Sequence, residues 1–165
     1  MTFNFHHLKV DYKDGDKWSD MDFDFMKLKE LFNSWQTEMD NGGGGNALFW
    51  CNHDQPRIVS RFGNDKEFHR ESATMLATAI HMMKGTPYIY QGEEIGMTNA
   101  YFESIDKYRD VESLNYYDIL TKEKPQNEVL GVLQKKSRDN SRTPMQWDNS
   151  ENAGFSVGTP WLGVC

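Results

Sequence analysis

The sequence has little of what marks several common protein classes. Its two cysteines, Cys51 and Cys165, are too few for a disulfide framework, so we expect reduced thiols in a cytoplasmic protein. No apolar run approaches the ~20 residues that span a membrane. Residues 1–5 also lack the basic and apolar segments of a signal peptide. We therefore expect no membrane partner.

Positive charge is also scarce. Lysine and arginine total 18 against 25 aspartates and glutamates, which gives a formal net charge of -7. Because no basic block offsets this acidity, we do not expect nucleic acid as a partner. Aromatic residues, by contrast, are plentiful at 13%, including 5 Trp. They fit either an aromatic core or a sugar-stacking cleft, and composition does not choose between the two.

The alternation of apolar runs with helical patterns indicates an α/β fold. Residues 2–7 alternate in polarity, while residues 47–51 and 88–91 are short apolar runs, and we predict a strand at each. A helical pattern separates each strand from the next. Strand, helix and strand in this order predict parallel pairing, since parallel neighbours need a crossover connection.

Four helices are predicted. The first is closed by a cap at Asn41 and Gly42, and its apolar stripe is Phe25, Leu28, Phe32, Trp35 and Met39. The second is expected to start at an Asp65 cap and to end at Gly85. Its predicted buried face is Phe68, Ser72, Met75, Leu76, Ala79, Ile80 and Met83, with Met82 as further core filler. Two shorter helices are predicted over about 110–122 and 126–136, followed by a loop over 152–165.

A polar cluster follows the second predicted strand. An imidazole, a carboxylate and a guanidinium arrive together as His53, Asp54 and Arg57. In a barrel of parallel strands, catalytic groups sit at the C-terminal strand ends. The alternative is the start of a helix, with Asn52 or Asp54 as the N-cap, Pro56 near the first helical position and Arg57 as a surface charge. Spacing alone leaves both interpretations open.

Three sequence blocks resemble the α-glucosidase branch of the α-amylase family of glycoside hydrolases. Phe49 and residues 52–57 (NHDQPR) are similar to the family's fourth signature region. Residues 85–99 (GTPYIYQGEEIGMTN) resemble its eighth-strand region, and residues 137–147 (SRDNSRTPMQW) resemble a later active-site loop. The resemblance implies the C-terminal part, about strands 6–8, of a (β/α)8 TIM barrel.

The resemblance also implies how the chain is divided. Residues 1–98 would hold the last three β/α units, and residues 99–165 the active-site loop and a helical insertion after strand 8. A whole barrel takes about 250 residues. In the family, the nucleophilic Asp and the acid/base Glu follow the fourth and fifth strands. We therefore expect a piece of a catalytic domain, inactive alone, which self-associates because three excised strands leave open edges.

Five residues receive site roles from the resemblance. Asp54 would stabilise the oxocarbenium-like transition state, and His53 would donate to a hydroxyl of the same sugar. Arg138 would reach the sugar pocket together with Arg142, and Glu112 would line the next subsite. The alternatives are an internal salt bridge for the arginines and a helix-dipole acid for Glu112. We assign no metal ligand and expect no cofactor.

The substrate depends on the N-terminal segment. Oligo-1,6-glucosidases carry acids where His6 and Lys9 stand, whereas relatives that cleave trehalose 6-phosphate resemble this sequence there. A phosphate needs cationic donors, which His6, Lys9 and Lys17 would supply. We expect a small α-glucoside, trehalose 6-phosphate, to be split into glucose and glucose 6-phosphate. Isomalto-oligosaccharides are the alternative substrates.

A rival from another class is a non-catalytic relative, such as the barrel ectodomains attached to amino-acid transporters. Such relatives carry a membrane span and tend to lose catalytic residues. Here no such span is found in the sequence, and His53, Asp54 and Arg138 are intact.

Overall fold

Helices surround a short parallel sheet in the computed structural model, which describes residues 1–164 and leaves the predicted thiol of Cys165 outside the described residues. The strands are β1 (Ala47–Leu48) and β2 (Thr86–Pro87). The helices are α1 (Phe25–Asn41), α2 (Ile58–Phe62), α3 (His69–His81), α4 (Val111–Leu120) and α5 (Gln126–Lys136). Short 3-10 helices lie at His6–Lys9, Glu93–Ile95, Ile105–Lys107, Arg138–Ser141 and Glu151–Gly154. None of the helices in residues 1–164 is long and apolar enough to span a bilayer.

The predicted parallel pairing is confirmed. β1 pairs with β2 in parallel, with Ala47 opposite Thr86 and Leu48 opposite Pro87. On the other side of β1, Thr2 forms a parallel bridge with Asn46. The three predicted strand positions are therefore neighbours in space and run in one direction.

The predicted extent of each strand is wrong. The first strand was expected over residues 2–7, but only Thr2 makes a bridge, and a 3-10 helix starts at His6. The Nε2 atom of His7 lies 2.7 Å from the carbonyl oxygen of Phe49, so a side chain occupies an acceptor that a longer ladder would use. β1 accordingly ends at Leu48 and not at Cys51, although residues 49–51 stay buried.

The third strand also lies elsewhere than predicted. It covers Thr86–Pro87, before the expected 88–91. Beyond this strand, the Tyr88 amide donates one further hydrogen bond to the Leu48 carbonyl, at 2.7 Å. The chain then turns into the Glu93–Ile95 3-10 helix.

Two predicted helices match the structure closely. α5 has the predicted bounds, with Pro125 immediately before its first residue. α1 ends as predicted at Asn41, and the Gly42 amide donates to the Asp40 and Glu38 carbonyls. The apolar stripe of α1 buries Leu28, whereas Phe25 at its start is exposed. The N-cap of α1 is Asp24, whose side chain accepts a hydrogen bond from the Lys27 amide. This cap was not predicted from the sequence.

The region between β1 and β2 departs most from the prediction. A helix, α2, was missed, and Asp65 does not cap α3; its carboxylate instead accepts from the hydroxyls of Ser60 and Tyr101. α3 buries Ser72, Leu76 and Ile80, a narrow stripe at steps of four. Four residues predicted on its buried face or as core filler are exposed, because none of residues 1–164 covers that side of the helix: Phe68, Met75, Ala79 and Met82.

Apolar side chains form two separate cores. The first lies between the sheet and helices α1 to α3, and it comprises Leu8, Val10, Leu28, Leu48, Phe49, Trp50, Cys51, Ile58, Val59, Phe62, Leu76 and Ile80. The second lies around α4 and α5, and it comprises Trp18, Phe102, Tyr108, Val132, Leu133 and Leu162. Trp18 comes from the N-terminal segment, so this segment contributes to both cores.

A buried ion-pair group joins the N-terminal segment to both halves of the chain. The Asp11 carboxylate pairs with the Arg61 guanidinium at 2.7 Å and with the Lys136 ammonium at 2.7 Å. Burial alone would raise the pKa of Asp11, but the bond and charge of Arg61 and the charge of Lys136 outweigh burial and lower it. Nearby, burial lowers the pKa of His7 to about 4.

Candidate active site

The loop after β1 presents Asp54 at the end of the strand. The Asp54 amide donates to the side-chain oxygen of Asn52 at 2.8 Å, a tight turn typical of asparagine. Pro56 is buried, and α2 starts at Ile58. The helix interpretation holds in part, because a helix starts soon after the turn. Its predicted N-cap is wrong, since Arg57 and neither Asn52 nor Asp54 stands at the N-cap position.

Three cationic or imidazole groups lie against the Asp54 carboxylate. Its Oδ1 atom is 2.8 Å from Arg142 Nη2 and 3.5 Å from Arg138 Nη1, and its Oδ2 atom is 3.2 Å from His53 Nε2. The Asp54 side chain is nevertheless 43% exposed and that of His53 is 72% exposed. The structure therefore brings together four predicted site residues on a surface that a ligand can reach.

A second carboxylate, Asp110, lies behind the arginines. Its Oδ1 atom is 2.9 Å from Arg138 Nη2 and 3.3 Å from Arg142 Nη1. Burial alone would raise the pKa of Asp110, but hydrogen bonds from Arg138 and from the Ser113 amide and hydroxyl lower it. The two arginines thus bridge an open carboxylate and a buried one.

Glu112 and Lys17 extend the same network. Glu112 Oε2 lies 3.1 Å from Arg138 Nε and 2.5 Å from Lys17 Nζ. Burial lowers the pKa of Lys17, and the hydrogen bond that Lys17 donates to Glu112 acts against that shift. The prediction of Glu112 beside the sugar site and the alternative of an acid in the first turn of a helix are both compatible with this position in α4.

The other two predicted phosphate ligands lie apart from Lys17. The His6 ring packs near Trp35 of α1, with ring centroids 6.3 Å apart, and Lys9 is exposed at the end of its 3-10 helix. Within residues 1–164, no hydrogen bond, ion pair or ring contact joins His6, Lys9 and Lys17. Of the three, only Lys17 contacts the network around Asp54.

The segment that carries Arg138 and Arg142 is held by contacts to its backbone that were not predicted from the sequence. Arg57, expected as a surface charge in the helix interpretation, is 1% exposed. Its guanidinium donates to the carbonyls of Gln91 at 2.7 Å, Asn140 at 3.3 Å and Ser141 at 3.4 Å. A buried guanidinium with several carbonyl partners fixes the Arg138–Ser141 helix against the end of the sheet.

The arrangement balances its charges. Asp54, Asp110 and Glu112 supply three carboxylates, while Arg138, Arg142 and Lys17 supply three cations. A balanced, hydrogen-bonding surface suits a neutral ligand rich in hydroxyls, and its open carboxylate can stabilise positive charge that develops on that ligand. In residues 1–164, no group of three histidine, cysteine, aspartate or glutamate side chains is placed to hold a metal ion.

Comparison with protein families shows the family of the chain. The family described as "Alpha amylase, catalytic domain" matches residues 1–165. The chain belongs to the alpha-amylase family. The resemblance seen in the three sequence blocks is therefore confirmed.

The most similar alpha-amylase relatives include enzymes named for trehalose 6-phosphate. Trehalose-6-phosphate hydrolase of Bacillus subtilis (strain 168) is 64% identical over 166 residues, which cover 99% of this chain and 29% of the relative. Oligo-1,6-glucosidase of Bacillus cereus is 53% identical over 166 residues, with 99% and 30% covered. The crystal structure of Bacillus licheniformis trehalose-6-phosphate hydrolase matches with a TM-score of 0.96 at 66% identity, and it covers 98% of this chain and 29% of that one. The chain thus spans about 30% of the length of these relatives.

Two acidic residues of this candidate site were not predicted from the sequence. Asp110 is the N-cap of α4, and the wholly buried Asp139 accepts from the Arg109 amide at 2.7 Å and the Asp110 amide at 2.9 Å through Oδ2. The available signal was local, because Asp110 stands at the start of a predicted helix, where N-cap residues occur. Nothing in the sequence indicates that its second oxygen faces two arginines about 30 residues away.

Proposed function

We propose that the protein carrying this chain is a retaining α-glucosidase that hydrolyses trehalose 6-phosphate to glucose and glucose 6-phosphate. The observation that carries the proposal is the higher identity to trehalose-6-phosphate hydrolase, 64%, than to oligo-1,6-glucosidase, 53%, over the same 99% of the chain. The cluster around Asp54 supports it, since it offers a carboxylate and two arginines to a sugar. Oligo-1,6-glucosidase activity on isomalto-oligosaccharides is the alternative.

In this proposal, Asp54 binds the reacting sugar and stabilises the positive charge that develops on its ring in the transition state. His53 and Arg138 donate to hydroxyls of the same sugar, and Arg142 holds Asp54 in place. Glu112 lines the adjacent subsite. No cofactor takes part in this proposal. The nucleophile and the acid/base are other residues of the catalytic domain and are not among these five.

The phosphate of the leaving sugar is proposed to bind His6, Lys9 and Lys17. Lys17 has the strongest support, because its ammonium contacts Glu112 at the edge of the network around Asp54. Its lowered pKa reflects burial of an ammonium that a second anion would help to keep charged. His6 and Lys9 remain accessible on the surface of the same N-terminal segment.

We also propose that residues 1–98 are the last three β/α units of a TIM barrel and that residues 99–165 are its active-site loop and helical insertion. Support comes from the parallel order of Thr2, β1 and β2 and from the two separate cores. The same division leaves large apolar side chains uncovered beside the sheet: Met1, Phe3, Phe5, Tyr88 and Ile89.

The isolated chain is therefore expected to be inactive and to self-associate through this uncovered face. An exposed apolar patch beside unpaired strand edges favours association with another copy. Sedimentation velocity across a range of concentrations measures the effect. The Phe3→Ser/Ile89→Ser double variant should shift the distribution towards monomer. A concentration-independent monomer in the unmodified chain would contradict the proposal.

The substrate test uses Lys17→Ala in the full-length enzyme that carries these residues. One lost bond to a phosphate, at roughly 1.5–3 kcal/mol, should lower kcat/KM for trehalose 6-phosphate about tenfold to a hundredfold. Hydrolysis of a neutral nitrophenyl α-glucoside should change little, because that substrate has no phosphate. Added salt should weaken use of the phosphorylated substrate more than use of the neutral one.

A matched control is Lys13→Ala, an exposed lysine on the same segment. It should leave both activities unchanged. If Lys17→Ala lowers both activities in parallel, the phosphate assignment fails. If the unmodified enzyme cleaves isomaltose and not trehalose 6-phosphate, the oligo-1,6-glucosidase alternative replaces the proposal.

A further inference from the structure

Both arginines beside Asp54 are bound from behind by one buried oxygen. Asp110 Oδ1 lies 2.9 Å from Arg138 Nη2 and 3.3 Å from Arg142 Nη1, and the Asp110 side chain is only 3% exposed. The same guanidinium groups face Asp54 through their other nitrogens. The two carboxylates and two guanidinium groups therefore alternate in charge around a closed ring.

Asp110 is itself fixed from two directions. Its Oδ2 atom accepts from the Ser113 amide and the Ser113 hydroxyl, each at 3.0 Å, which caps α4. Its own amide donates to the buried carboxylate of Asp139 at 2.9 Å. A carboxylate with both its backbone and one oxygen held leaves its second oxygen in a constant place.

The two arginines depend on that oxygen to different degrees. Arg142 has a further anchor, because its Nε donates to the His53 carbonyl at 2.9 Å. Arg138 reaches Asp54 only at 3.5 Å and otherwise contacts Glu112, whose side chain is 31% exposed. The buried contact that sets the position of Arg138 is therefore the one to Asp110.

Charge balance gives Asp110 a second effect. Without its charge, Arg138, Arg142 and Lys17 would face only Asp54 and Glu112, an excess of one positive charge. Arg138 would then keep Asp54 and Glu112 as carboxylate partners and would be drawn closer to both. Its contact with Asp54, at 3.5 Å against 3.1 Å for Glu112, has more room to shorten. An Asp54 that is more tightly paired is less available to a sugar hydroxyl.

We propose that Asp110 is a positioning residue that holds Arg138 off Asp54, so that both side chains are free to bind the reacting sugar. The proposal rests on the α-glucosidase function proposed above. Asp110 touches neither the sugar nor the reacting atoms, and it acts through Arg138.

Asp110→Asn separates this role from helix capping. Asparagine caps helices about as well as aspartate, so α4 should keep its cap and the full-length enzyme should still fold. Its neutral amide cannot neutralise two arginines. The value of kcat should fall about tenfold to a hundredfold, the worth of one hydrogen bond to a charged group, for trehalose 6-phosphate and for a nitrophenyl α-glucoside alike. KM for the phosphorylated substrate should not rise, because the phosphate ligands are untouched.

Asp24→Asn is the matched control. Asp24 caps α1 in the same way, by accepting from the Lys27 amide at 2.9 Å, but it contacts no arginine. It should keep the wild-type kcat and KM. Asp110→Ser, which also retains a cap, serves if Asp110→Asn does not fold.

A crystal structure of the Asp110 variant decides the inference independently of activity. Arg138 should leave its position between Asp110 and Glu112 and approach Asp54. An unmoved Arg138, or a kcat equal to wild type, would overturn the inference. An unmodified enzyme that hydrolyses neither substrate would instead overturn the proposed function, and the displacement of Arg138 would still decide the role of Asp110.

Discussion

Two aspartates in this chain are each held by two cations, but they lie in opposite surroundings. Asp11, paired with Arg61 and Lys136, has a side chain that is 5% exposed. Asp54, paired with Arg138 and Arg142, has one that is 43% exposed. The first pairing joins segments 50 and 125 residues apart in a sealed site, whereas the second lies at a strand end that is open to solvent.

The surroundings decide what each group can do. Most of the donors around Asp11 bond inside the protein, since Arg61 also contacts the Gln55 side chain and the Leu8 carbonyl, and Lys136 contacts the Asp11 carbonyl. The three side chains are each at most 5% exposed, so we expect this group to act on the fold. Asp54 keeps an open side, so a sugar can take part in its network. We therefore expect similar ion pairs to serve stability in one region and, in the proposed function, sugar recognition in the other.

The largest expected effect comes from Asp11→Ala. Removing one partner of a buried pair leaves uncompensated charge, here on Arg61 and Lys136, and costs about 3–5 kcal/mol. Urea unfolding followed by tryptophan fluorescence should show a large fall in midpoint. All variants are compared at one protein concentration, because self-association makes the midpoint depend on concentration.

The pH dependence of the same variant sharpens the comparison. The pKa of Asp11 is lowered on folding from a usual value of 3.8. Its contribution is therefore present above the unfolded pKa and is lost as pH falls through the folded one. The midpoints of wild type and Asp11→Ala should differ by a constant amount from pH 5 to 8 and converge below about pH 4.

An exposed ion pair supplies the control. Asp20 pairs with Lys135 at 2.6 Å, but their side chains are 64% and 56% exposed. Asp20→Ala should cost about 0–1 kcal/mol, as is usual for surface pairs. If Asp20→Ala and Asp11→Ala shift the midpoint equally, burial does not distinguish the two sites.

How well the sequence predicts each region follows from how local its causes are. α5 and the end of α1 depend on helical periodicity and caps within one segment, and both are predicted correctly. The strands end early because the His7 ring reaches the Phe49 carbonyl, 42 residues away. The exposure of Met75 and Met82 likewise depends on what covers α3, which periodicity does not reveal.

The candidate site also contains residues that the sequence predicts and residues that it does not. His53, Asp54, Arg138 and Arg142 lie together as the family resemblance implies. Asp110 was not predicted as part of the site, because its role depends on partners far away in the chain. A carboxylate before a helix looks the same in the sequence whether its second oxygen faces water, as an ordinary cap does, or two arginines.

The smallest expected effect on stability comes from Asp54→Asn, and it completes the comparison. Exposed ion pairs contribute about 0–1 kcal/mol, so the urea midpoint should stay close to that of wild type and of Asp20→Ala. In the full-length enzyme, however, kcat/KM should fall about tenfold to a hundredfold or more for trehalose 6-phosphate and for a neutral nitrophenyl α-glucoside alike. Both substrates should suffer because Asp54 serves the transition state that they share. A midpoint shift as large as that of Asp11→Ala, with activity retained, would mean that the open carboxylate is structural and that the two aspartates do the same work.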